Sequence, residues 1–544
     1  MRIAMVHGYL LHGTGSNIYV QNISRELINL GHEVHIFCQE NHPEVFSFIK
    51  AAYRVNPDTM EVRQYYENNA IERGAIVINP ELDLLPVYVM DKYPEFKEVK
   101  LFIELTEAEL NEYIQRNLYV LSFFHEKYNY DILHTNHLVM TPYFGAQMFK
   151  QHKVPYVITP HGSSLVYTIQ KDSRYRKYAI DGLKYASQVL PGNENFMQTI
   201  IEYFQKDIEN IKHKMHIIPL GVDTNLFVPI LEGRRQTVWN ELVSKLKNIK
   251  GGRTKSAELD FIRKISSATT LDIGKILNEI PTYSQKSPDE NVAEKLMRIN
   301  PEKDRLLIFV GRLILGKGIH NFLVSVAPLL AQFDNLKVLV IGAGPVREWG
   351  EWLVYAASQG NKNLIRALIA WEKENTEENP SLLKPLFSFV NSKQFEQLEM
   401  RFDPSRVIFT GFLDHHYLAP ILGVSEIACF PSLVPESFGL VLLEAASCGV
   451  LPVASYFSGF KTILDEFKTV LPENIWKLLI LPYEGEAIIP KMIHNLAELL
   501  KRKLLIGNDL RSKVVEKYSW RGVTVQLSNL YKEILYSHTH SKKY

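Results

Sequence analysis

Residues 435–449 read PESFGLVLLEAASCG, and the reading of this stretch decides the fold. It carries two glutamates, Glu436 and Glu444, with seven residues between them, at the mouth of a helix that Gly449 ends. Just ahead, Ile427-Ala428-Cys429-Phe430 is a short apolar run closed by Pro431-Ser432, the pattern of a strand buried on both faces of a parallel sheet. Behind it, Val450–Ala454 starts another apolar run. The unit is strand, loop, helix, strand. In open α/β sheets, ligands sit at the carboxyl ends of such strands, against helix N-termini.

Eight steps of helix rise about 12 Å, so one carboxylate stands at the mouth while the other lies deeper. Both can line one long ligand with hydroxyls at each end, such as a sugar joined to a ribose through a diphosphate. The plainer alternative is an exposed loop charge at Glu436 and a tolerated helix glutamate at Glu444.

With 544 residues the chain has room for two substantial domains with insertions. Hydrophobic residues at 46% and charged residues at 22% are an ordinary globular balance, and a net charge of +1 points to no nucleic-acid partner. Cys38, Cys429 and Cys448 lie in apolar or small-residue contexts without metal-ligand spacing, which reads as reduced core thiols of a cytoplasmic protein. MRIAMVHGYL has the wrong flanks for a signal peptide, and the apolar region around 438–454 is interrupted by Glu444, so no membrane span is expected. Peripheral membrane contact stays open.

From the start, Arg2–Val6 reads as a buried strand, then a loop with Gly13-Thr14-Gly15, then a helix capped by Ser16. Tyr19, Val20, Ile23, Leu27 and Leu30 form its apolar face, Gly31 stops it, and Val34–Cys38 is the second strand. A dinucleotide fingerprint with Glu40 as the ribose acid is a rival here, but its third glycine would fall on Ile18. Residues 41–130 show one clear helix, around Glu107–Tyr128. Asp131–His134 reads as a strand delivering His134 and Asn136 to a loop, and Val154–Thr159 as a strand followed by Pro160, His161 and Gly162. Arg174, Arg176 and Lys177 read as a solvated face.

Between 230 and 300 runs a charged insertion whose helical stripe Trp239, Leu242, Val243, Leu246 and Ile249 suggests an appendage packed on the surface. Leu306–Val310 opens a second alternating unit and is followed by GRLILGKG, with Arg312 and Lys317 flanking a turn before a helix. Two cations near a helix N-terminus suit a diphosphate leaving group, although a surface Arg and Lys would look the same. A second insertion, about 346–403, contains helical stretches and the breaker Asn379-Pro380. Val407–Thr410 with Gly411-Phe412-Leu413 resumes the core, and the segment His538–Tyr544 reads as disordered.

PESFG, an apolar stretch and then EAASCG together resemble the donor-binding segment of the retaining glycosyltransferases of family 4, the glycosyl transferases of group 1, which have the GT-B fold. The likeness extends over 1–40, 131–227, 303–345 and 405–535. It implies an α/β protein of two Rossmann-like domains facing across a cleft, with a C-terminal helix crossing back to the first. The domains would be 1–229 on the acceptor side, 230–300 as insertion and linker, 301–517 for the nucleotide sugar, and 518–544 as crossover helix and tail.

The resemblance further implies transfer of a sugar from a UDP- or GDP-type nucleotide sugar to an acceptor hydroxyl, with retention, by a front-face route, without metal or cofactor. By the same likeness, His161 contacts the transferred sugar, Arg312 and Lys317 the diphosphate, Glu436 the sugar hydroxyls and Glu444 the ribose. Backbone at Ser437, Phe438, Gly439 and Leu440 would assist at the phosphates and backbone near Leu413 at the base, while Gly13, Thr14 and Gly15 would face acceptor and phosphate. Many relatives have two adjacent glycines where this chain has Ser458-Gly459, which bears on the donor sugar. The acceptor, whether sugar, lipid or small molecule, and the oligomeric state are not specified. A GT-B sugar-nucleotide epimerase, a nicotinamide-dependent dehydrogenase and a non-catalytic carbohydrate-binding scaffold are the alternatives.

Overall fold

The computed structural model describes residues 1–11, 15–89, 96–247, 249, 251–281, 283, 287–436, 438–502 and 507–541. The chain forms two compact units, residues 1–221 together with 518–544, and residues 222–517. Residues 222–229 and the segment 230–300 both fall within the second unit.

In the first unit the strands are β1 (Arg2–Val6), β2 (Glu33–Phe37), β3 (Ile49–Val55), β4 (Val62–Glu67), β5 (Ala75–Pro80), β6 (Leu85–Val87), β7 (Val99–Leu101), β8 (Ile132–Asn136), β9 (Tyr156–Thr159) and β10 (Gln188–Val189). Eight of them make one sheet in the order β10-β9-β8-β1-β2-β5-β3-β4, while β6 and β7 pair separately. Every pairing in the large sheet is parallel except β3 with β4. The segment 41–130 therefore adds an edge hairpin and a further parallel strand to the sheet. The helix read over Glu107–Tyr128 has those bounds, with Thr106 and Glu109 forming a capping box at its start.

Three local readings need correction. The first helix begins at Gly15, which puts Ser16 inside the first turn and not at the cap. His134 lies within β8 and is fully buried, because Thr159 Oγ1 bonds its Nε2 at 2.8 Å and the Tyr531 hydroxyl bonds its Nδ1. It is a structural hub between the sheet and the last helix, Trp520–Ser541. That helix buries Trp520, Val523, Leu527, Leu530 and Tyr531 in one core with Ile3, Met5, Tyr19 and Ile23 of the first unit. It also extends through His538–His540, which the sequence suggested were disordered. Arg174 and Arg176 pair with Asp172 and Asp207, as expected of a charged face.

The second unit holds β11 (Arg305–Val310), β12 (Leu336–Ile341), β13 (Val407–Gly411), β14 (Ile427–Phe430), β15 (Leu451–Ser455) and β16 (Ile480–Leu481). They form an all-parallel sheet in the order β13-β12-β11-β14-β15-β16. All carboxyl ends lie along one edge, and the strand order reverses between β11 and β14, the position where such sheets bind ligands. Among the described residues no helix is long and apolar enough to cross a membrane.

The 230–300 segment is more than a surface appendage. Trp239, Leu242, Val243 and Leu246 of its apolar stripe are buried, with Trp239 Nε1 donating to Leu296 O at 3.0 Å, whereas Ile249 lies beyond the helix end and is half-buried. The segment also sends charged groups into the interior. Arg347 grips Asp289 through both carboxylate oxygens (2.8 and 2.5 Å), Lys295 Nζ reaches Asp289 (2.7 Å) and Phe409 O (3.0 Å), and Arg253 grips Glu351 (2.7 and 2.8 Å). Burial alone would raise the Asp289 pKa, but the Arg347 hydrogen bonds and the charges of Arg347, Lys295 and Arg253 outweigh it and hold it at about 2. The cluster packs beneath β13, where Asp289 N donates to Thr410 O (2.9 Å) and Phe412 N to Ser287 O (3.1 Å).

Glu348 is incompletely satisfied, as is Arg253, whose Nε has no partner among the described residues. The Glu348 side chain is 7% exposed, its Oε1 has no hydrogen bond, and Arg253 lies 3.6 Å away. Burial, then repulsion by Glu351, raises the Glu348 pKa from 4.5 to about 7. A raised acid favours the folded state only while it keeps its proton. Its contribution is complete below pH 4.5 and is lost as pH climbs through about 7. Glu348→Gln, which mimics the protonated form, is expected to stabilise the protein at pH 8 by on the order of 1–3 kcal/mol. Thermal melts should show the gain shrinking towards pH 5; an equal gain at both pH values would contradict this account.

Candidate functional site

In the second unit, the loops after β11 and β14 emerge side by side at the reversal of strand order. The first contains Arg312 and a 3-10 turn, Leu315–Lys317; the second carries Glu436. Lys317 Nζ meets Glu436 Oε1 at 2.5 Å, and both side chains are partly accessible. Arg312 is exposed, and its side chain makes no ion pair or hydrogen bond with a described residue. One cation is thus held by a carboxylate, and a second stands open to solvent on the same loop.

The helix Leu440–Ser447 starts from Gly439, whose φ of +100° is a conformation that favours glycine. Leu440 and Val441 fall in its first turn, where backbone N–H groups have no intrahelical acceptor. Neither N–H meets a described partner, so the helix start offers donors to an anion. Glu444 lies on the same helix and is buried, 3.4 Å from Nε2 of His415. Burial raises its pKa, and the His415 charge opposes that.

His415, which the sequence reading missed, opens the helix His415–Val424 just after Leu413, and Asp414 caps it by accepting from His416 N and Tyr417 N. The Asp-His pair after a strand was a legible capping signal, but nothing in it announced a partner for Glu444. Leu413 itself is buried, and the preceding Phe412 N–H is taken by Ser287, so the 230–300 segment braces this loop.

Ser458-Gly459 acquires a role in this arrangement. Ser458 adopts a φ of +51°, and its hydroxyl donates to Glu436 O at 2.9 Å, with Gly459 N donating to the same oxygen at 3.0 Å. A side chain at Gly459 would put its Cβ 2.6 Å from both Glu436 O and Phe438 O. The pair therefore pins the peptide that carries Glu436. Ser437, placed by sequence among the donor contacts, lies outside the described residues, whereas Phe438 is buried.

In the first unit His161 follows β9 directly and is partly buried. Asn136 Nδ2 donates to Val6 O (3.2 Å), which turns Asn136 Oδ1 towards His161 Nε2 at 3.3 Å. This arrangement puts the imidazole proton on Nε2 and leaves Nδ1 as an acceptor. Burial, then the neighbouring His7 and His134, lowers the His161 pKa to about 3, so the ring is neutral near pH 7.

Two further histidines gather there. His7 stacks on His137 with centroids 5.7 Å apart, and His137 lies 4.9 Å from His161. Each directly follows the end of a strand, β1 or β8, a positional signal that the sequence contained but that was not singled out. Gly15 opens the first helix and is exposed, while Gly13 and Thr14 lie outside the described residues. Glu40, the ribose acid of the dinucleotide alternative, is buried and accepts from Leu11 N and His42 N, both at 2.9 Å, so its carboxylate is committed to backbone.

Residues 14–221 match the model of a glycosyl transferase 4-like domain, and residues 391–510 that of glycosyl transferases group 1. An uncharacterized glycosyltransferase of Methanocaldococcus jannaschii is 22% identical over 50% of this chain and 62% of its own length, so the match spans less than two thirds of that relative. The MMP alpha-(1->4)-mannosyltransferase of Mycolicibacterium hassiacum is 24% identical over 98% of each chain. Among solved structures, the catalytic domain of starch synthase IV from Arabidopsis thaliana, bound to ADP and acarbose, superposes with a TM-score of 0.54 at 11% identity, covering 98% of this chain and 99% of that one. Matched by family models in both units and over 98% of its length in fold, the chain belongs to the group 1 glycosyltransferases of family-4 type and has the GT-B fold.

Proposed function

We propose that this protein moves a sugar from a nucleotide-diphosphate sugar, of UDP or GDP type, to an acceptor hydroxyl with retention of anomeric configuration, using neither metal nor other cofactor. The observation that carries the reading is the Lys317–Glu436 pair at the reversal of strand order, with the open Arg312 and the unbonded N–H groups of Leu440 and Val441. A departing diphosphate needs this set of cations and backbone donors, and a sugar needs the neighbouring carboxylate. The ADP in the starch synthase structure and the mannosyl transfer in the name of the Mycolicibacterium relative support a nucleotide donor and a hexose. Three buried, unpaired cysteines suit a reducing cytoplasmic setting.

In the proposed reaction the bond from the anomeric carbon to the phosphate oxygen breaks while a bond to the acceptor oxygen forms on the same face. The acceptor proton passes to the leaving phosphate oxygen. Arg312 and Lys317 take up the growing charge on the diphosphate, assisted by the amides at Leu440 and Val441. Glu436 accepts from sugar hydroxyls and Glu444 from the ribose. His161, neutral with Nδ1 free to accept, orients the sugar by a hydrogen bond. The acceptor is a sugar, lipid or small molecule carrying a free hydroxyl.

The first test is a thermal-shift panel of UDP-, GDP- and ADP-sugars in EDTA, with wild type and Glu444→Gln. One nucleotide sugar should raise the wild-type melting temperature by mass action and leave the variant nearly unmoved. Stabilisation by NAD alone would overturn the proposal. Free nucleoside diphosphate released only when an acceptor is present would separate transfer from epimerisation. Arg312→Ala, at an exposed position whose side chain has no partner among the described residues, is expected to keep the wild-type melting temperature while kcat falls by about 10²- to 10³-fold.

A further inference from the structure

The 346–403 insertion, which supplies Arg347 and Glu351 to the buried cluster, also reaches the turn that carries Lys317. That turn, Leu315–Lys317, follows Ile314, which has no side-chain oxygen with which to cap it. Its first two N–H groups are nonetheless satisfied. Leu315 N donates to Glu378 Oε1 at 2.6 Å and Gly316 N to Glu378 Oε2 at 3.0 Å. One carboxylate, more than sixty residues further along the chain, thus caps the turn with two charge-assisted bonds.

Glu378 is itself held. Its N–H donates to Thr376 Oγ1 at 3.2 Å, and a few residues on, Leu382 O faces His320 Nε2 at 3.1 Å, on the helix that follows the turn. On its other side, the turn offers Gly316 O to Leu433 N (2.9 Å) and Ser432 Oγ (3.3 Å), in the loop that leads to Glu436. The Gly316 residue is therefore gripped from the insertion on one side and from the Glu436 loop on the other. Lys317 is the next residue, and its ammonium position follows from that grip.

We propose that Glu378 is a positioning residue that fixes Lys317 for the donor's diphosphate, so that the insertion forms part of the donor site's framework. This deepens the nucleotide-sugar reading and rests on it. Removing the carboxylate strips two adjacent buried N–H groups of their acceptor, and the turn must rotate to find others. The loss falls on the group that meets the diphosphate and spares contacts to base and ribose.

The test is isothermal calorimetry with UDP, GDP and ADP, each beside its monophosphate, on wild type, Glu378→Ala, Glu378→Gln, Lys317→Ala and the double variant Glu378→Ala/Lys317→Ala. Glu378→Ala is expected to lower the preference for diphosphate over monophosphate about tenfold, with monophosphate affinity unchanged. Glu378→Gln, which keeps one acceptor oxygen, should lose less and serves as the better-folded variant if alanine unfolds the chain. In the Lys317→Ala background the effect should vanish. Equal weakening of both nucleotides, or the same loss with and without Lys317, would overturn the positioning role while leaving the donor site intact. If wild type binds none of the three diphosphates, the donor reading itself falls, and this inference with it.

Discussion

The constraint on which the second unit depends is parallel pairing on both sides of β11. With β12 on one flank and β14 on the other, the chain must leave β11 and β14 at the same edge of the sheet and turn to opposite faces. The two loops are then neighbours whatever their composition. Placing a lysine in one and a glutamate in the other yields an ion pair with no need for a dedicated scaffold. The pair is accessible enough that its Coulomb energy contributes little to stability. In the proposed reaction, each charge holds the other in place until a ligand with hydroxyls and a diphosphate divides them.

Around this pair, buried polar groups serve rigidity. The Asp289–Arg347–Lys295 cluster is costly to desolvate and strongly bonded once formed. It fixes the segment 287–289 against the end of β13 and so steadies the loop through Leu413. On the other flank Ser458 and Gly459 fix the backbone of Glu436. The loops through Leu413 and Glu436 are thus each fixed through their backbone.

Much of this was legible in the chain. The strand–loop–helix reading of 427–449 held, because an apolar run closed by Pro-Ser and a helix stopped by glycine depend on local backbone preferences. Lys317 and Glu436 could be nominated because their motifs, in order along the chain, resemble those of a known family; residue type alone would have left them as surface charges. The buried cluster could not be read, since Arg253, Asp289 and Arg347 are far apart in sequence and look like ordinary surface charges. His134 misled for the same reason. A histidine in a strand looks like a candidate for chemistry until its partner, Tyr531, appears nearly four hundred residues later. Glu378 was hidden because its partners are backbone N–H groups, which have no sequence signature.

The last helix bears on how the protein is made. Trp520, Val523, Leu527 and Tyr531 are core residues of the first unit, packed with β1 and the helix Gly15–Asn29. During synthesis those early elements emerge first, and then wait while the whole of residues 222–517 is translated. The second unit, contiguous in sequence, can complete its core while the first still exposes the apolar surface meant for Trp520 and Tyr531. The first unit, although begun first, can thus complete its core only after the second has been translated.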